Sequence, residues 1–343
     1  MRPSLECIVQ TGVAPSASLA IDRALLSAVR DGARRGRGVL RVWTAAGRLV
    51  ALGRYHCAPE PAAAGGVACC RRLSGGRAVP FGEGFLGVTL ALPHRSALVA
   101  DDPFALAPEQ VLNRCVRGLL EACRVAGLAP YYGGRDLVTV DGRVLALVSF
   151  EVDARGAALF EAVVAAAEDV AVLPARLDAV DPTGVVPCTL WTPEDATSLG
   201  RLLGQAPGPA ELAALLTEGY RRLGVDVVAA DAPAVEAASD AAWVASRRRR
   251  PDLDRRATRR GQLGIVESQA AVVDGTIREA LVTGDFLASS PAVARLEAGL
   301  RGRPATADAV HAAVRDAFAP PESFVLGVAP AAIAETILAG LAP

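Results

Sequence analysis

The stretch "RRLSGGRAVPFGEGF", residues 71–85, brings three arginines, a serine and a glycine pair together just before a predicted strand. Glycine lets the backbone approach a ligand closely, and exposed backbone amides in such a loop can bind an anion. Arginine guanidinium groups bind carboxylate or phosphate at two points. A glycine pair after a strand is also an ordinary turn signal. The stretch alone therefore has two interpretations, an anion-binding loop or a turn in an arginine-rich chain.

The composition limits what this chain can do. Its 343 residues suffice for two domains, and the 52% that are hydrophobic suffice for a large core. The formal net charge of −1 disfavours bulk nucleic acid or an acidic membrane as a partner. All 36 basic residues are arginine. The lack of lysine excludes every mechanism that needs a side-chain ammonium, a Schiff base or a P-loop lysine.

The cysteines and histidines show no metal-binding spacing. Seven cysteines are present without a C-x-x-C motif, and the adjacent pair Cys69–Cys70 is too close for an ordinary disulfide. His56, His94 and His311 are far apart, so no metal site is predicted. The N-terminal residues lack the apolar core of a signal peptide, and no apolar run reaches the ~18 residues of a membrane span. We therefore expect a cytoplasmic protein with free thiols and no membrane association.

Helical and strand patterns alternate along the chain, which predicts an α+β fold. Helices are expected over 18–29, 109–128, 209–224, 291–302 and 306–318. Strands are expected over 39–45, 48–53 and 85–93, with a strand followed by the glycine loop within 66–76, a hairpin over 137–152 and two or three strands over 261–286. Periodicity does not decide whether 158–170 is a strand or a helix.

Two domains are predicted, at 1–230 and 261–343, joined by an arginine-rich linker at 231–260. The linker contains the densest charge run, "SRRRRPDLDRRATRR" at residues 246–260. A solvated linker is the favoured interpretation of this run. A nucleic-acid-binding patch is the alternative, which the absence of interleaved aromatic residues disfavours.

Further motifs lie on both sides of the opening stretch, in a fixed order. They are Ser18–Leu19–Ala20–Ile21–Asp22, Gly53–Arg54, Arg71–Arg72–Leu73–Ser74–Gly75–Gly76–Arg77–Ala78–Val79, Gly134–Arg135–Asp136, Asp274–Gly275, Gly284–Asp285–Phe286 and Leu296–Glu297 with Leu300 and Gly302. Their types and order resemble the lipoate-protein ligase family of the biotin/lipoate ligase superfamily. The resemblance extends from about residue 18 to residue 302.

This resemblance implies a fold and a reaction. The fold is a catalytic domain with mixed and antiparallel sheets flanked by helices, followed by a small α+β accessory domain. In the reaction, ATP with Mg activates lipoate, octanoate or a related acid as an acyl-adenylate. The acyl group then passes to a lysine of a lipoyl-type carrier domain of a 2-oxoacid dehydrogenase or glycine cleavage protein. The residues implied in cofactor binding are Arg71, Arg72, Ser74, Gly75, Gly76, Ala78, Val79, Arg135 and Asp136.

The chain departs from the family at the position of its lysine. The hairpin stretch "DGRVLALVSF", residues 141–150, has Val144 where the family has a lysine that contacts the adenylate. Two cations are candidate catalytic substitutes. Arg77 replaces the third glycine of the loop, whereas Arg143 is adjacent to Val144 and needs a register slip to reach the same face. The family's His-Asp after the loop is replaced by Phe81–Gly82, and its H-G-T-L-L stretch by residues 160–164.

Three functions follow from these features. The first is an ATP-dependent ligase, which makes the protein an enzyme. The second is a non-catalytic member, a pseudoenzyme that binds a lipoyl group, a nucleotide or a carrier domain. The third is an octanoyl or lipoyl transferase that works through a cysteine thioester, with Cys188 and Cys115 as the first candidates. His56 and His94 are assigned no catalytic role, because a lone histidine is more often structural. Asp141 is explained by its turn.

Overall fold

The computed structural model describes residues 2–34, 36–59, 66–98, 108–181, 190–235 and 240–342. It has the predicted α+β class. A mixed sheet of eight strands forms its centre, in the order β11-β1-β2-β6-β10-β9-β8-β7. Strand β1 runs parallel to both β11 and β2, and the other neighbours are antiparallel. The strands are β1 (Ser4–Val13), β2 (Gly38–Ala45), β6 (Phe85–Leu92), β7 (Pro130–Tyr132), β8 (Leu137–Val140), β9 (Arg143–Val152), β10 (Ala158–Ala165) and β11 (Asp226–Ala229).

The ambiguous segment 158–170 contributes a central strand. Strand β10 lies between β6 and β9 and all eight of its residues are buried. A strand covered on both faces loses its alternation of polar and apolar residues, which is why periodicity could not identify it.

A small second sheet carries the glycine loop. It has the order β4-β3-β5, with β3 (Arg48–Leu52), β4 (Val67–Arg71) and β5 (Val79–Gly82). Strands β2 and β3 follow one another in the chain, but the structure places them in different sheets. The loop over residues 72–78 connects the parallel strand β4 to the antiparallel strand β5 across β3. This connection brings the loop against one face of the central sheet.

Helices pack against the central sheet and against the small second sheet. They are α1 (Pro15–Arg30), α2 (Pro108–Cys115), α3 (Arg117–Val125), α4 (Leu173–Val180), α5 (Leu199–Leu203), α6 (Pro209–Arg222) and α7 (Ala241–Ala245). Helix α1 begins with proline at its first position, which suits an N-terminus, and buries Leu19, Ile21, Leu25 and Val29. The single helix predicted over 109–128 is two helices, with a break at Val116. No helix among the described residues is long and apolar enough to cross a membrane.

The C-terminal region forms its own sheet and helices. Its elements are β12 (Arg255–Arg260), β13 (Ile265–Val273), β14 (Thr276–Gly284), β15 (Leu287–Ala288), α8 (Ser290–Leu300), α9 (Ala307–Phe318), β16 (Val325–Leu326) and α10 (Pro330–Leu341). The predicted hairpin turn at Asp274–Gly275 is present, with both residues at positive φ. Helix α10 was not predicted, and it packs against β12 and β13. Its sequence, PAAIAETILAGL, is apolar on nearly every side and so lacks a clear amphipathic period.

The arginine-rich run belongs to this C-terminal region in the structure. Arg249 pairs with Glu267 of β13 at 2.5 Å, and Arg250 pairs with Glu279 of β14 at 2.6 Å. Residues 255–260 form the edge strand β12. Ion pairs within this region therefore neutralise Arg249 and Arg250, whereas most residues of β12 are exposed, as a solvated run would be.

The C-terminal region packs against the glycine loop and β9. The rings of Phe150 and Phe324 stack with centroids 4.5 Å apart, and those of Tyr55 and Phe286 stack at 4.9 Å. Such aromatic pairs contribute roughly 1 kcal/mol each beyond their buried area. These contacts hold β15 over the glycine loop.

Candidate functional site

The glycine loop is held from two sides. From the central sheet, Glu161 accepts a hydrogen bond from the Ser74 amide at 2.8 Å, and the Ser149 hydroxyl lies 2.6 Å from that of Ser74. From the C-terminal region, the Phe286 carbonyl oxygen accepts a hydrogen bond from the Gly76 amide at 2.8 Å. A Cβ on Gly75 would collide with this same carbonyl oxygen. The glycine pair therefore allows two backbone segments to approach closely.

The two adjacent arginines at the start of the loop have different surroundings. Arg71 donates hydrogen bonds to backbone carbonyls of two segments, residues 53–56 and 243–244. Burial lowers the pKa of Arg71 to about 10. These bonds tie Arg71 to the protein itself, although the sequence predicted it as a ligand-binding residue. Arg71 therefore joins the loop to helix α7.

Arg72 is placed differently. Its Nη2 donates to the carbonyl oxygens of Arg77 at 2.8 Å and Gly75 at 3.3 Å, which braces the loop from inside. Its Nε is buried and has no hydrogen-bond partner among the described residues. Burial lowers the pKa of Arg72, and the charge of Glu161 opposes this effect. Arg72 thus combines a structural role in the loop with an unused donor.

A narrow cavity lies beside Arg72, between the glycine loop, helix α1 and the central sheet. Its volume is about 50 Å³, room for only a few water-sized groups. Its lining is mainly apolar, but it includes the polar side chains of Asp22, Arg72, Thr89 and Glu161. Pockets for drug-sized ligands measure roughly 300–1,000 Å³, so this cavity is small by comparison.

A row of polar side chains crosses the central sheet at the cavity. Arg41 of β2 pairs in register with Thr89 of β6, which pairs with Glu161 of β10, which pairs with Ser149 of β9. All four are buried. Residues in register on neighbouring strands share a face, so these side chains point to the same side of the sheet. One feature of the sequence indicates this row, namely the single charged residues inside the apolar strand runs VLRVW and LFEAVV.

The charges in this row are partly balanced within the protein. Arg41 donates to Asp22 of α1 at 2.8 Å, to Ser18 at 3.1 Å and to Gln10 at 2.7 Å. Burial raises the pKa of both Asp22 and Glu161, while Arg41 lowers that of Asp22 and Arg72 lowers that of Glu161. Sequence reasoning did not identify Asp22, Arg41, Ser149 or Glu161 as site residues.

The face on which Val144 lies depends on the register between β8 and β9. Strand β8 pairs Val138 with Ala146 but Thr139 with Val144, so β9 has one extra residue there, Leu145. Such a bulge shifts the alternation of side chains by one. Val144 therefore shares the face of Ser149, and Arg143 points to the opposite face. The bulge is a register slip of the kind that Arg143 would need. It places Val144, rather than Arg143, on the face of the sheet that the glycine loop contacts.

The second candidate cation is paired. Arg77 Nε lies 2.5 Å from one oxygen of Asp136, and its Nη2 lies 3.3 Å from the other. The Arg77 guanidinium also lies 5.5 Å from the ring centroid of Trp191. The predicted site residues Arg77 and Asp136 thus form an ion pair that neutralises both side chains. Arg135 beside them is exposed.

The remaining predicted residues support the loop or lie away from it. Ala78 and Val79 are buried, and Val79 pairs with Ala51 of β3. Asp141 has φ 51° in the turn of the β8–β9 hairpin, as its turn signal predicted. His94 is exposed, whereas His56 is buried with its Nε2 3.2 Å from Asp285 Oδ1.

The cysteines of the described residues are not activated. Burial raises the pKa of Cys115 and Cys69 to about 12 and that of Cys57 to about 11. A thiol that stays protonated is a poor nucleophile. Cys188 lies outside the described residues. Across those same residues, no group of three or more His, Cys, Asp or Glu side chains could hold a metal ion.

Comparison with known proteins identifies the C-terminal region and the fold. The family model for the bacterial lipoate protein ligase C-terminus matches residues 250–335. No curated protein matches the chain by sequence. Among solved structures, LipL1 of P. falciparum in complex with lipoate has 12% identity and a TM-score of 0.65, and the match covers 91% of this chain and 94% of that one.

Two further structures match the larger part of the chain. The bi-partite lipoate protein ligase of Thermoplasma acidophilum, described with its E2 lipoyl domain, has 17% identity and a TM-score of 0.52, with 68% of this chain and 88% of that one covered. A lipoate-protein ligase A bound with ATP has 18% identity and a TM-score of 0.51, with 68% and 90% covered. At sequence identities of 12–18%, the structural similarity shows that the fold is shared. The family match is confined to residues 250–335, and the chain as a whole shares the fold of these lipoate-protein ligase structures.

Proposed function

We propose that this protein is a lipoate-protein ligase-like enzyme that activates a carboxylic acid with ATP and transfers the acyl group to a lysine of a lipoyl-type carrier domain. The observation that carries the proposal is the placement of Arg72. It connects the glycine loop with the cavity and has an unused Nε in a buried setting. The relatives named above support lipoate and ATP as substrates and a lipoyl domain as partner.

The proposed reaction has two steps. A carboxylate oxygen of the acid attacks the α-phosphorus of ATP, a bond forms between them, and pyrophosphate leaves with the electrons of the broken P–O bond. The carrier lysine amine then attacks the acyl carbon, an amide forms, AMP leaves with the electrons of the broken C–O bond, and the amine loses a proton. Arg72 offsets the negative charge near the phosphorus, as a fixed cation in a site with little water does.

Access to the loop requires a local rearrangement. The Phe286 carbonyl oxygen already accepts a hydrogen bond from the Gly76 amide, and Tyr55 donates a hydrogen bond to the Ala288 carbonyl oxygen at 3.2 Å. In our proposal, residues 285–288 withdraw from the loop when the substrates bind. The loop amides then become available to the acyl-phosphate.

A single-turnover assay tests this proposal. Excess protein is mixed with ATP, Mg, lipoate or octanoate and an apo carrier domain, and the carrier is weighed by mass spectrometry. We expect an acylated carrier with the wild type, and a rate lowered about a hundredfold or more in Arg72→Ala. The matched control is Arg143→Ala, which removes an arginine from the opposite face of β9 and should keep the wild-type rate. Thermal unfolding of each variant confirms that it is folded.

A second function is favoured by the surroundings of Val144. This residue is buried, its amide donates to the Asp195 carbonyl oxygen at 2.8 Å, and its carbonyl oxygen accepts from the Thr197 amide at 2.9 Å. An apolar side chain held in this way supplies no charge to an adenylate, and Arg77 is paired with Asp136. If the single-turnover assay yields no acylated carrier and no adenylate, the ligase proposal is wrong. Lipoate or nucleotide binding in that case identifies a non-catalytic binding protein.

A further inference from the structure

Unpaired hydrogen-bond donors at the cavity beside Arg72 indicate the chemistry of the acid that binds there. Three buried side-chain N–H groups at this place have no hydrogen-bond partner among the described residues: Arg41 Nη2, Trp43 Nε1 and Arg72 Nε. Trp43 and Arg72 line the cavity. Arg41 lies directly behind it, since its guanidinium is 4.3 Å from the Trp43 ring centroid and its partners Asp22 and Ser18 are lining residues.

Unpaired buried donors are costly, and here all three unpaired atoms are donors. A buried polar group without a partner is rare in folded proteins, and the two such donors that line this cavity, Trp43 Nε1 and Arg72 Nε, call for an acceptor inside it. An octanoyl or lipoyl chain has no oxygen beyond its carboxylate. Such a chain would leave these donors unpaired and would cover Asp22 and Glu161 with hydrocarbon.

The charge balance decides what kind of acceptor fits. Arg41 is already paired with Asp22, and the charge of Glu161 acts on Arg72. Arg71 also lines the cavity, but its guanidinium donates to backbone carbonyl oxygens. A second ionised carboxylate on the ligand would lie beside Asp22 and Glu161, and like charges in a buried site repel each other. A neutral oxygen would satisfy the donors without that penalty.

We propose that the acid bound by this cavity carries a neutral oxygen acceptor, of the keto type, on its chain. The inference rests on the proposed function only in that the cavity is taken as the acyl site. The volume of about 50 Å³ further favours a short chain. Thr89 and Glu161 of the polar row then contact the ligand body, since both line the cavity together with Trp43 and Arg72.

Matched pairs of acids test this inference by isothermal titration calorimetry on the full chain, without ATP or carrier. The pairs are pentanoate and 4-oxopentanoate, hexanoate and 5-oxohexanoate, and octanoate and 7-oxooctanoate, with lipoate as a reference. We expect at least one oxo acid to bind about tenfold or more tightly than its partner, because a site built to hydrogen-bond an oxygen rejects the analogue that lacks it. Equal or tighter binding of every plain acid, or no binding of any oxo acid, overturns the inference.

Two variants locate the effect. Trp43→Phe keeps an aromatic ring and removes the Nε1 donor, so it should abolish most of the preference. The matched control is Tyr132→Phe, which removes another buried, unpaired polar group that is away from the cavity. A preference that survives Trp43→Phe, or is lost in Tyr132→Phe, contradicts the assignment to this cavity.

A measurement on the wild type guards against misfolding of the variant. The chain has three tryptophans, so indole N–H signals in a ¹⁵N NMR spectrum can be assigned by replacing Trp191 and Trp243 in turn. The Trp43 signal should shift with the preferred oxo acid and stay in place with its plain partner. An unmoved Trp43 signal overturns the inference. A chain that shows the preference but fails the acyl-transfer assay loses only the ligase proposal, and one that transfers lipoate without any preference loses only this inference.

Discussion

The replacement Glu151→Gln should remove a pH-dependent weakness at the interface between β9 and the C-terminal region. Glu151 is buried there, and its Oε1 accepts a hydrogen bond from the Ser290 amide at 2.9 Å, in the first turn of α8. Its Oε2 is buried without a partner among the described residues. Burial raises the pKa of Glu151 from its ordinary 4.5 to about 7, although Arg54 acts in the opposite direction. Glutamine keeps the acceptor for Ser290 and never ionises.

The sign follows from the protons that each state binds. Between pH 4.5 and about 7 the folded state keeps the Glu151 proton more often than the unfolded state does, so the free energy of unfolding falls as the pH rises. Each tenfold change in proton affinity is worth about 1.4 kcal/mol, so the loss reaches about 3 kcal/mol at pH 8. Glu151→Gln should therefore be about as stable as the wild type near pH 4.5 and more stable by up to about 3 kcal/mol at pH 8.

Urea unfolding at several pH values between 4.5 and 8 measures this difference. Comparing the variant with the wild type cancels the other buried carboxyls, such as Asp22 and Asp285, whose pKa values burial also raises. The control is Glu218→Gln on α6, where the carboxylate is half exposed and pairs with Arg222 on the same helix. A constant difference between Glu151→Gln and the wild type across this range, or a variant that loses stability as the pH rises, would refute the reasoning.

Three further perturbations test other parts of the structure. Val144→Lys should raise acyl-adenylate formation about 100- to 1,000-fold in a pyrophosphate-release assay, because one charge contact to the transition state is worth this much. Arg143→Lys, on the opposite face of β9, should leave the rate of adenylate formation unchanged. Equal rates in the two variants would contradict the bulge in β9. Phe324→Ala should cost about 3–5 kcal/mol in urea unfolding by removing the ring stacked on Phe150, and an unchanged midpoint would show that this stack does not stabilise the protein. Arg71→Lys should lower the free energy of unfolding by about 2 kcal/mol or more, since an ammonium has too few donors for the carbonyls that Arg71 binds. Wild-type stability of this variant would show that Arg71 does not stabilise the fold.

The local sequence predicted most of the elements and the fold class. Helix α1, the strands β2, β3, β4 and β6 and the hairpin of β8 and β9 follow from short-range periodicity and turn residues, which depend on near neighbours alone. The Asp141–Gly142 turn is an example, since only these residue types adopt two successive positive φ angles easily. The order of the motifs predicted the fold because it spans both domains.

Elements without a clear polar face escaped this reasoning. Strand β10 is buried along its whole length, and the exposed positions of helix α10 are mostly proline and alanine, so neither shows a polar face that would indicate its period. The break at Val116 has no proline or glycine to announce it. In each case tertiary packing, rather than local preference, determines the conformation.

The role of each arginine was decided by tertiary structure alone. The sequence places Arg71 and Arg72 side by side and marks both as anion ligands, yet the fold ties Arg71 to backbone carbonyls and leaves Arg72 with an unused donor beside the cavity. Likewise one extra residue in β9 decides that Val144, and not Arg143, faces the loop. Composition and motifs by themselves determined the family resemblance and the absence of a lysine. Which cations are free to act depends on partners distant in the chain, and only the folded structure brings those partners together.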